Sequence, residues 1–445
     1  MKFIETLKNI WKIEDLRTKI LTTILFVLIY RFGSFIVLPG IDPQALSALQ
    51  AQTSGGLMSL LDMFSGGAFS NASIFALGIM PYISASIVVQ LLSIAIPYFQ
   101  KLQREGESGR SKINRLTRYL TVAILLLQGP SYLVNLKVQM AQANAVMPDG
   151  FWFSASSTLI LCAGSMFVMW LGERMTDKGI GNGISMLIMI GIIARFPAAF
   201  LKEFMSRLGD SGGGLIMLLA EIVILLFVIA ASILLVQGTR KVPVQYAKRM
   251  VGNKQYGGVR QYIPLKVNAA GVMPIIFAQA IMMVPIMFAG FNPEGVGNFM
   301  QAFMDNTGFW YNFVFALLII VFTYFYTAIT VNPKMMAEQI KQNNGFIPGI
   351  KPGKKTSEYL DDIMSRITLP GSIFLALVAI MPAFAGLFGI TSEFAQFYGG
   401  TSLLILVGVV LDTLQQIESH LLSSRYDGLL ESGRITGRSG SVSAY

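Results

Sequence analysis

The hydrophobic residues of this chain fall into long runs separated by short polar segments. A window of about 19 residues, the length of a membrane-spanning helix, finds five such runs near residues 20–38, 73–95, 119–136, 152–171 and 183–201. Five more lie near residues 214–236, 269–289, 309–330, 367–388 and 400–420. The pattern predicts an all-α polytopic membrane protein with ten transmembrane helices.

Residues 64–92 depart from this pattern. The front part, 64–71, is hydrophobic but is interrupted by Ser65, Gly66, Gly67, Ser70 and Asn71. These residues lower helix propensity too far for a robust span, and a full-length apolar run begins only at Ser73. Because an interrupted helix at membrane depth must be covered by protein or line a cavity, we predict a re-entrant segment followed by a spanning helix along a pathway.

Basic residues are distributed unequally between alternate loops. Of the 34 Lys and Arg residues, the side opposite the termini holds only Lys137, Lys202 and Arg207. The positive-inside rule therefore places both termini in the cytoplasm. The amphipathic segment 1–19 should lie on the membrane surface, and residues 421–445 form a cytoplasmic tail. The first run is too long for the core of a signal peptide and is interpreted as an uncleaved span.

Composition supports a membrane protein and excludes several kinds of chemistry. Hydrophobic residues make up 53% of the chain, charged residues 13%, and the mean hydropathy is +0.60. The single cysteine, Cys162, cannot form an internal disulfide, and the single histidine, His420, cannot build a His-based metal site. We expect no metal, no cofactor and no catalytic residue. Nucleotide-binding and intramembrane-protease motifs are absent from the sequence.

Four charged residues fall within the predicted spans or at their edges. They are Arg31, Arg195, Glu221 and Asp412. Such charges usually mark ion coupling, proton relay or intramembrane catalysis, but none of the four forms a pair that is recognisable from spacing.

Two cytoplasmic loops, 237–268 and 331–366, are unusually long and basic. Basic loops commonly do no more than fix topology and touch anionic lipid. Their length favours a further role, docking of a large acidic or nucleic-acid-rich partner.

The flexible connector near residues 201–215 divides the ten runs into five and five. Halves with an odd number of spans insert with opposite orientation if they share a fold, which is the inverted-repeat architecture. We therefore predict an N-terminal half over 20–205 and a C-terminal half over 206–420. Ten spans without internal symmetry remain the alternative.

Isoleucines follow the Gly and Pro breaks of several runs. They are Ile79, Ile83, Ile184, Ile188, Ile276 and Ile405. Isoleucine in a membrane helix usually packs in the core or faces lipid, but a hydrophobic constriction that gates by dewetting uses such residues.

Several stretches together resemble the SecY family of protein-conducting channels. They are RFGSFIVLPGID, MFSGGAFSNASIFALGIMPYISASIVVQLL, EGESGR, MWLGERMTDKGIGNGIS, YAKR, PLKVNAAGVMP, FIPGIKPGKKT and YGGTSLLILVGVVLDT. They occur in order over nearly the whole chain. The resemblance implies a channel that translocates unfolded secretory polypeptides across the bacterial plasma membrane and releases membrane-protein segments sideways into the lipid bilayer.

The resemblance also assigns roles to residues. The six isoleucines would form the pore ring, and residues 57–71, with Phe64, Ser65, Gly66, Gly67 and Ala68, would form a plug that caps the closed pore. The second, third, seventh and eighth spans would form a lateral gate, with Gln90 and Asn268 as candidate seam residues.

The two basic loops would dock the ribosome and the SecA motor ATPase. The docking residues would be Lys248, Arg249, Lys254, Lys351, Lys354 and Lys355. Lys351 stands where the family usually carries arginine, and Asn253 and Lys254 stand where many relatives have an arginine pair. The resemblance further implies small SecE-like and SecG-like membrane subunits and signal-sequence-bearing polypeptides as partners.

Two other classes remain open. A secondary transporter would also have inverted repeats and broken helices, but it needs a substrate site at the membrane midplane. A membrane enzyme would need a nucleophile and a base.

Overall fold

The computed structural model describes residues 11, 13–42, 62, 65–142, 148, 150–209, 214–246, 249–251, 254–256, 260–279, 281–282 and 308–431. These residues form two compact units. The first contains the described parts of Met1–Ala51, Leu61–Ala194 and Val409–Tyr445, and the second contains the described part of Arg195–Gly408.

Helices make up most of the first unit. They are α1 (Glu14–Gly33), α2 (Met80–Ala95), α3 (Pro97–Arg104), α4 (Glu107–Gln142), α5 (Phe151–Lys178), the first part of α6 (Gly183–Leu208) and the last part of α12 (Gly400–Glu431). Helix α4 packs against α2 and α5, and α1 packs against α5. A hydrophobic core including Leu38, Tyr132 and Leu161 joins α4 and α5 to the non-helical chain that follows α1.

The first predicted span, 20–38, is displaced in the structure. Helix α1 already begins at Glu14, where ion pairs such as Lys19 with Asp15 at 3.2 Å join residues one turn apart. It ends at Gly33, and the chain then turns so that Val37 forms an antiparallel bridge with Ser73. The amphipathic segment 1–19 lies mostly outside the described residues.

The second predicted span, 73–95, begins later than expected. Residues 65–79 are turns apart from the bridge residue Ser73, and helix α2 begins only at Met80. Gly78 has a φ of +54°, in the left-handed region that interrupts a helix, and Pro81 lies in the first turn of α2, where proline is favoured. At the other end, the chain bends by 103° into α3, which begins at Pro97.

The second unit contains the remaining helices. They are the last part of α6, then α7 (Gly214–Gln237), α8 (Phe309–Thr330), α9 (Pro333–Gln342), α10 (Lys354–Leu387), the short α11 (Ser392–Ala395) and the first part of α12. Helix α10 packs against α7, α8 and α9. The predicted seventh span, 269–289, is helical over the described residues 273–279 and 281–282, and the rest of it lies outside the described residues.

Within the described part of the chain, seven helices are long and apolar enough to cross a membrane, or eight if the bent pair α2 and α3 counts as one span. The predicted multi-pass membrane protein is therefore confirmed. The predicted number of ten spans is not confirmed.

The two long basic loops contain strands, which the all-α prediction did not include. Strand β1 (Thr239–Tyr246) pairs antiparallel with β4 (Arg260–Lys266) on one side and with β5 (Gly345–Phe346) on the other. A second hairpin pairs β2 (Arg249–Val251) with β3 (Lys254–Tyr256). Alternating burial along β1, with Val242 and Val244 buried, explains why this polar loop forms a sheet.

Candidate functional site

The non-helical residues 65–71, called the plug segment below, are buried or half-buried in the first unit. Of the predicted plug residues, Ser65, Gly66, Gly67 and Ala68 are buried, and Phe64 lies outside the described residues. Gly66 and Gly67 have φ values of +64° and +92°. The plug segment therefore turns where only glycine is unstrained, as the interrupted sequence predicts.

Two adjacent side chains of α1 donate hydrogen bonds to the start of the plug segment. The hydroxyl of Tyr30 donates to the carbonyl oxygen of Ser65 at 3.2 Å. The Nη1 atom of Arg31 donates to the carbonyl oxygen of Gly66 at 2.8 Å. Arg31, which the sequence marks only as a charge within a span, thus has a defined polar partner.

A third donor comes from helix α4. The hydroxyl of Tyr132 donates to the carbonyl oxygen of Phe69 at 2.8 Å, and the two rings pack edge to face with centroids 4.8 Å apart. Sequence reasoning missed Tyr30 and Tyr132. A tyrosine in an apolar run gives no signal of which distant carbonyl it reaches.

Hydrogen bonds to Asp62, which precedes the plug segment in the chain, also hold its turn together. Asp62 is buried, and its Oδ1 atom accepts from the N–H of Ser70 at 2.8 Å. The carbonyl oxygen of Asp62 accepts from the N–H of Gly67 at 2.9 Å. These contacts satisfy polar backbone groups that a helix would otherwise satisfy.

Four of the six predicted ring residues belong to the first unit. Ile79 immediately precedes α2 and is buried, and the N–H of Ile83 donates to the carbonyl oxygen of Ile79 at 3.1 Å. On α6, Ile188 is buried and Ile184 is half-buried. The two members of each pair therefore lie one turn apart, as their spacing predicts.

The loop before α6 is fixed by side chains from three helices. The N–H of Gly181 donates to Oε1 of Gln416 at 2.8 Å, and the N–H of Ile180 donates to Oγ1 of Thr23 at 3.2 Å. The N–H of Gly183 donates to Oγ1 of Thr176 at 2.8 Å. This loop sets where α6 begins, one residue before Ile184.

The other two ring residues, Ile276 and Ile405, belong to the second unit. Ile405 is buried on α12 and Ile276 is half-buried in the helical residues 273–279. These elements approach closely, because a Cβ atom on Gly408 would lie 3.2 Å from Cγ2 of Val272. Ile276 and Ile405 are each about one helical turn from this contact.

The two lateral-gate candidates are in different surroundings. Gln90 is half-buried on α2, and its carbonyl oxygen accepts from Ser93 Oγ at 2.6 Å. Asn268 is buried in the turn after β4. Its Oδ1 atom has no hydrogen-bond partner among the described residues.

The two basic loops pack together as one module in the second unit, called the docking module below. Its core is formed by Val242, Val244, Leu265, Ile340, Ile347, Leu360 and Met364. These residues come from β1, β4, α9, the chain after β5, and the start of α10. A shared core gives the module a defined shape that two separate flexible arms would lack.

Predicted docking residues lie on this module where they are described. Lys351, Lys354 and Lys355 are exposed around the start of α10. Arg249 and Lys254 lie on the paired strands β2 and β3. Lys248 and Asn253 lie outside the described residues.

A buried charge cluster in the second unit was not predicted. Arg207 contacts Glu203 at 2.8 Å and Glu221 at 2.6 Å, and all three side chains are buried. The second oxygen of Glu203 accepts from the N–H of Thr391 at 2.8 Å. The cluster thus joins α6, α7 and the chain before α11. Of the other spanning charges, Asp412 is exposed and Arg195 half-buried.

Among the described residues, no group of three or more His, Cys, Asp or Glu side chains could hold a metal ion.

Comparison with known proteins identifies the family. The SecY family model matches residues 73–414. The chain belongs to the SecY family. A relative from Streptomyces scabiei, named protein translocase subunit SecY, is 43% identical over 432 residues, covering 94% of this chain and 98% of that protein. A relative of the same name from Mycobacterium tuberculosis is 40% identical and covers 96% of this chain and 99% of its own length.

Solved structures show the fold of the SecY family. A structure described as a protein-conducting channel matches with a TM-score of 0.61 at 16% identity, covering 92% of this chain and 94% of that one. A SecY structure concerned with the plug domain, which stabilises the closed state of that channel, matches with a TM-score of 0.64 at 17% identity and the same coverage. The resemblance seen in the sequence is confirmed.

Proposed function

We propose that this chain is the channel subunit of a protein translocase, through which unfolded secretory polypeptides cross the bacterial plasma membrane. The observation that carries the proposal is the match over nearly the full length to relatives named protein translocase subunit SecY. The buried plug segment supports it, because a solvated path needs a removable seal. The same relatives favour the channel over a secondary transporter. No catalytic role is assigned.

The proposed conduit is closed by a ring of six isoleucines. The ring consists of Ile79, Ile83, Ile184, Ile188, Ile276 and Ile405. Stiff β-branched side chains close around an extended chain without offering it hydrogen bonds, which suits passage of arbitrary sequences. The two pairs of isoleucines one turn apart, at the start of α2 and on α6, support this assignment, since the two members of each pair lie on the same side of the chain.

The plug segment is the proposed outer cap of the closed channel. A Cβ atom on Gly66 would lie 2.8 Å from the Cα atom of Gly191, so the segment packs directly on α6. Gly191 lies about one turn after Ile188 on that helix. The plug segment therefore sits next to the proposed ring within the first unit.

Gln90 and Asn268 are proposed as polar seam residues of a lateral gate, through which membrane-protein segments leave into lipid. The support for Asn268 is its buried, unpartnered Oδ1 atom. A buried acceptor without a donor is costly, and a donor supplied by another state of the gate would remove that cost.

The docking module is proposed to bind the ribosome and the SecA motor ATPase. One structural relative is canine Sec61 in a ribosome–channel complex, with a TM-score of 0.57. The support in this chain is the exposed row Lys351, Lys354 and Lys355 on a folded module. Ribosomal RNA attracts such charges. SecE-like and SecG-like subunits are proposed as further partners.

We place both termini in the cytoplasm, with an N-terminal half over 20–205 and a C-terminal half over 206–420. The charge bias between loops supports this orientation.

Reconstitution tests the proposal. The chain is placed in proteoliposomes with SecE-like and SecG-like subunits, and SecA, ATP and a signal-sequence-bearing polypeptide are added. Protease-protected polypeptide inside the vesicles is expected. Uptake of a small solute driven by an ion gradient, without import of the polypeptide, would instead support a secondary transporter.

A further inference from the structure

The plug segment obtains hydrogen-bond donors from outside itself. A non-helical backbone at membrane depth leaves carbonyl oxygens that water cannot reach, so protein donors must satisfy them. Three carbonyl oxygens of the plug segment, on Ser65, Gly66 and Phe69, accept hydrogen bonds from side chains of neighbouring helices. The donors are spread over two helices.

We propose that Tyr30, Arg31 and Tyr132 form a donor cradle that holds the plug segment in place while the channel is closed. This inference rests on the proposed function of residues 65–71 as the plug. The three residues are positioning residues, and the strength of their hydrogen bonds sets how often the plug segment is displaced from its closed position. Opening breaks all three hydrogen bonds, whereas the bonds within the segment can travel with it.

Arg31 is the strongest member of the donor cradle. A charge within a span is costly and by default marks a functional site. Its guanidinium lies over the ring of Phe35 at 5.2 Å and donates to the carbonyl oxygen of Gly66. A hydrogen bond from a charged donor is about twice as strong as a neutral one, so Arg31 contributes more to holding the plug segment than either tyrosine does.

The backbone of the plug segment at Gly66 packs closely against Arg31 and α6. A Cβ atom on Gly66 would lie 2.9 Å from Nη1 of Arg31 and 2.8 Å from the Cα atom of Gly191. The left-handed φ of Gly66 adds strain to any other residue. Only glycine at this position lets the carbonyl oxygen reach Arg31 while the turn lies flat on α6.

The donor cradle is tested by resting ion conductance of the full complex in planar bilayers. Tyr30→Phe and Tyr132→Phe each remove one hydroxyl and keep the ring, and each should raise conductance about 2- to 10-fold, the effect of one neutral hydrogen bond. Arg31→Met removes a charged donor and should raise it about 10- to 100-fold. Arg31→Lys keeps a charged donor and should give a smaller increase than Arg31→Met.

Two control variants distinguish a failure of the donor cradle from a failure of the proposed plug. Tyr119→Phe changes an exposed tyrosine on the same helix as Tyr132 and should leave conductance unchanged. Deletion of residues 64–70 should give the full leak. Absence of a leak after the deletion would overturn the proposed plug itself. A leak after the deletion, with none in any cradle variant, would overturn the donor cradle alone.

Labelling provides a readout that does not depend on conductance. With Cys162→Ser as background, Ser70→Cys reports how often the plug segment leaves its site through its reaction rate with a membrane-impermeant thiol reagent. Arg31→Met should increase this rate by about 10-fold or more. An unchanged rate in a correctly assembled complex would contradict the donor cradle.

Discussion

The backbone N–H of Gly181 donates a 2.8 Å hydrogen bond to Oε1 of Gln416, a residue 235 positions later in the chain. The contact ties the loop before α6 to helix α12. It leaves little space, because a Cβ atom on Gly181 would lie 3.1 Å from Oγ1 of Thr413. Helix α12 therefore helps to set where α6 begins, and with it the position of Ile184.

Replacing Gln416 by leucine should loosen this loop. The N–H of Gly181 would then lose its side-chain acceptor, and because Gln416 is exposed the cost is that of one ordinary hydrogen bond, about 0.5–1.5 kcal/mol. We expect a lower melting temperature in detergent and a raised resting ion conductance.

Gln416→Glu keeps an acceptor oxygen and should behave like the unmodified chain in both assays. Gln415→Leu makes the same chemical change at the adjacent position and is the matched control. Equal behaviour of Gln415→Leu and Gln416→Leu would show that the contact has no role in placing α6.

Reversing the charge of Lys351 tests the docking module. Lys351→Glu should weaken binding of SecA and of ribosomes, and the remaining binding should fall as salt rises, because exposed charges are screened over about 10 Å at 0.1 M. Binding is measured by titration at several salt concentrations.

Lys137→Glu gives the control for that experiment. It makes the same change in net charge, but at a residue that the charge pattern places on the opposite side of the membrane. Salt-independent binding, or equal weakening by the two variants, would count against electrostatic docking through this module.

The buried charge cluster predicts a large loss of stability in Arg207→Ala. Removal of the guanidinium leaves the carboxylates of Glu203 and Glu221 buried without a cation, and breaking a buried pair in this way costs about 3–5 kcal/mol. Thermal unfolding in detergent measures the effect.

The ion pair between exposed Lys202 and half-buried Glu393, 2.6 Å apart, offers a comparison. Lys202→Ala removes an exposed partner and should cost about 0–1 kcal/mol. Similar losses in Lys202→Ala and Arg207→Ala would refute a structural role for the buried cluster.

The sequence predicts the break before α2 but not what holds it. Glycine and polar residues at 65–71 signal a poor helix through local propensity alone. The donors are distant, since Tyr30 lies 35 positions from Ser65 and Tyr132 lies 63 positions from Phe69. Tyrosine in an apolar run is also common in ordinary spans, so residue type gives no signal.

The fold of the docking module also could not be predicted from the sequence, because it depends on contacts between distant residues. Length and charge indicate that the two loops have a role, but the pairing of Gln245 with Phe346 joins residues far apart in the chain. The shared core depends on that pairing. Likewise, the order of the predicted spans assigns Arg207 to a loop on the side opposite the termini. In the structure its side chain instead forms an ion pair with Glu221 on the next helix.

We propose that the six isoleucines form the constriction through which polypeptide passes. Polar replacement of two or more of them by Ser or Asn should wet the pore and raise ion leak while the fold persists. If the isoleucines were instead ordinary core residues, the same changes would bury unsatisfied polar groups. Each such group would lower the folding stability by about 1–3 kcal/mol, and the chain would misfold.

Crosslinking gives the most direct measurement. Ile79→Cys or Ile276→Cys is introduced with Cys162→Ser, and a translocating polypeptide carrying one cysteine is stalled in the channel. Phe309→Cys, at an exposed helix end, is the control. We expect a disulfide with the stalled chain at both isoleucine positions and none at the control position. Absence of any crosslink at Ile79 and Ile276, with the stalled chain demonstrably engaged, would contradict it.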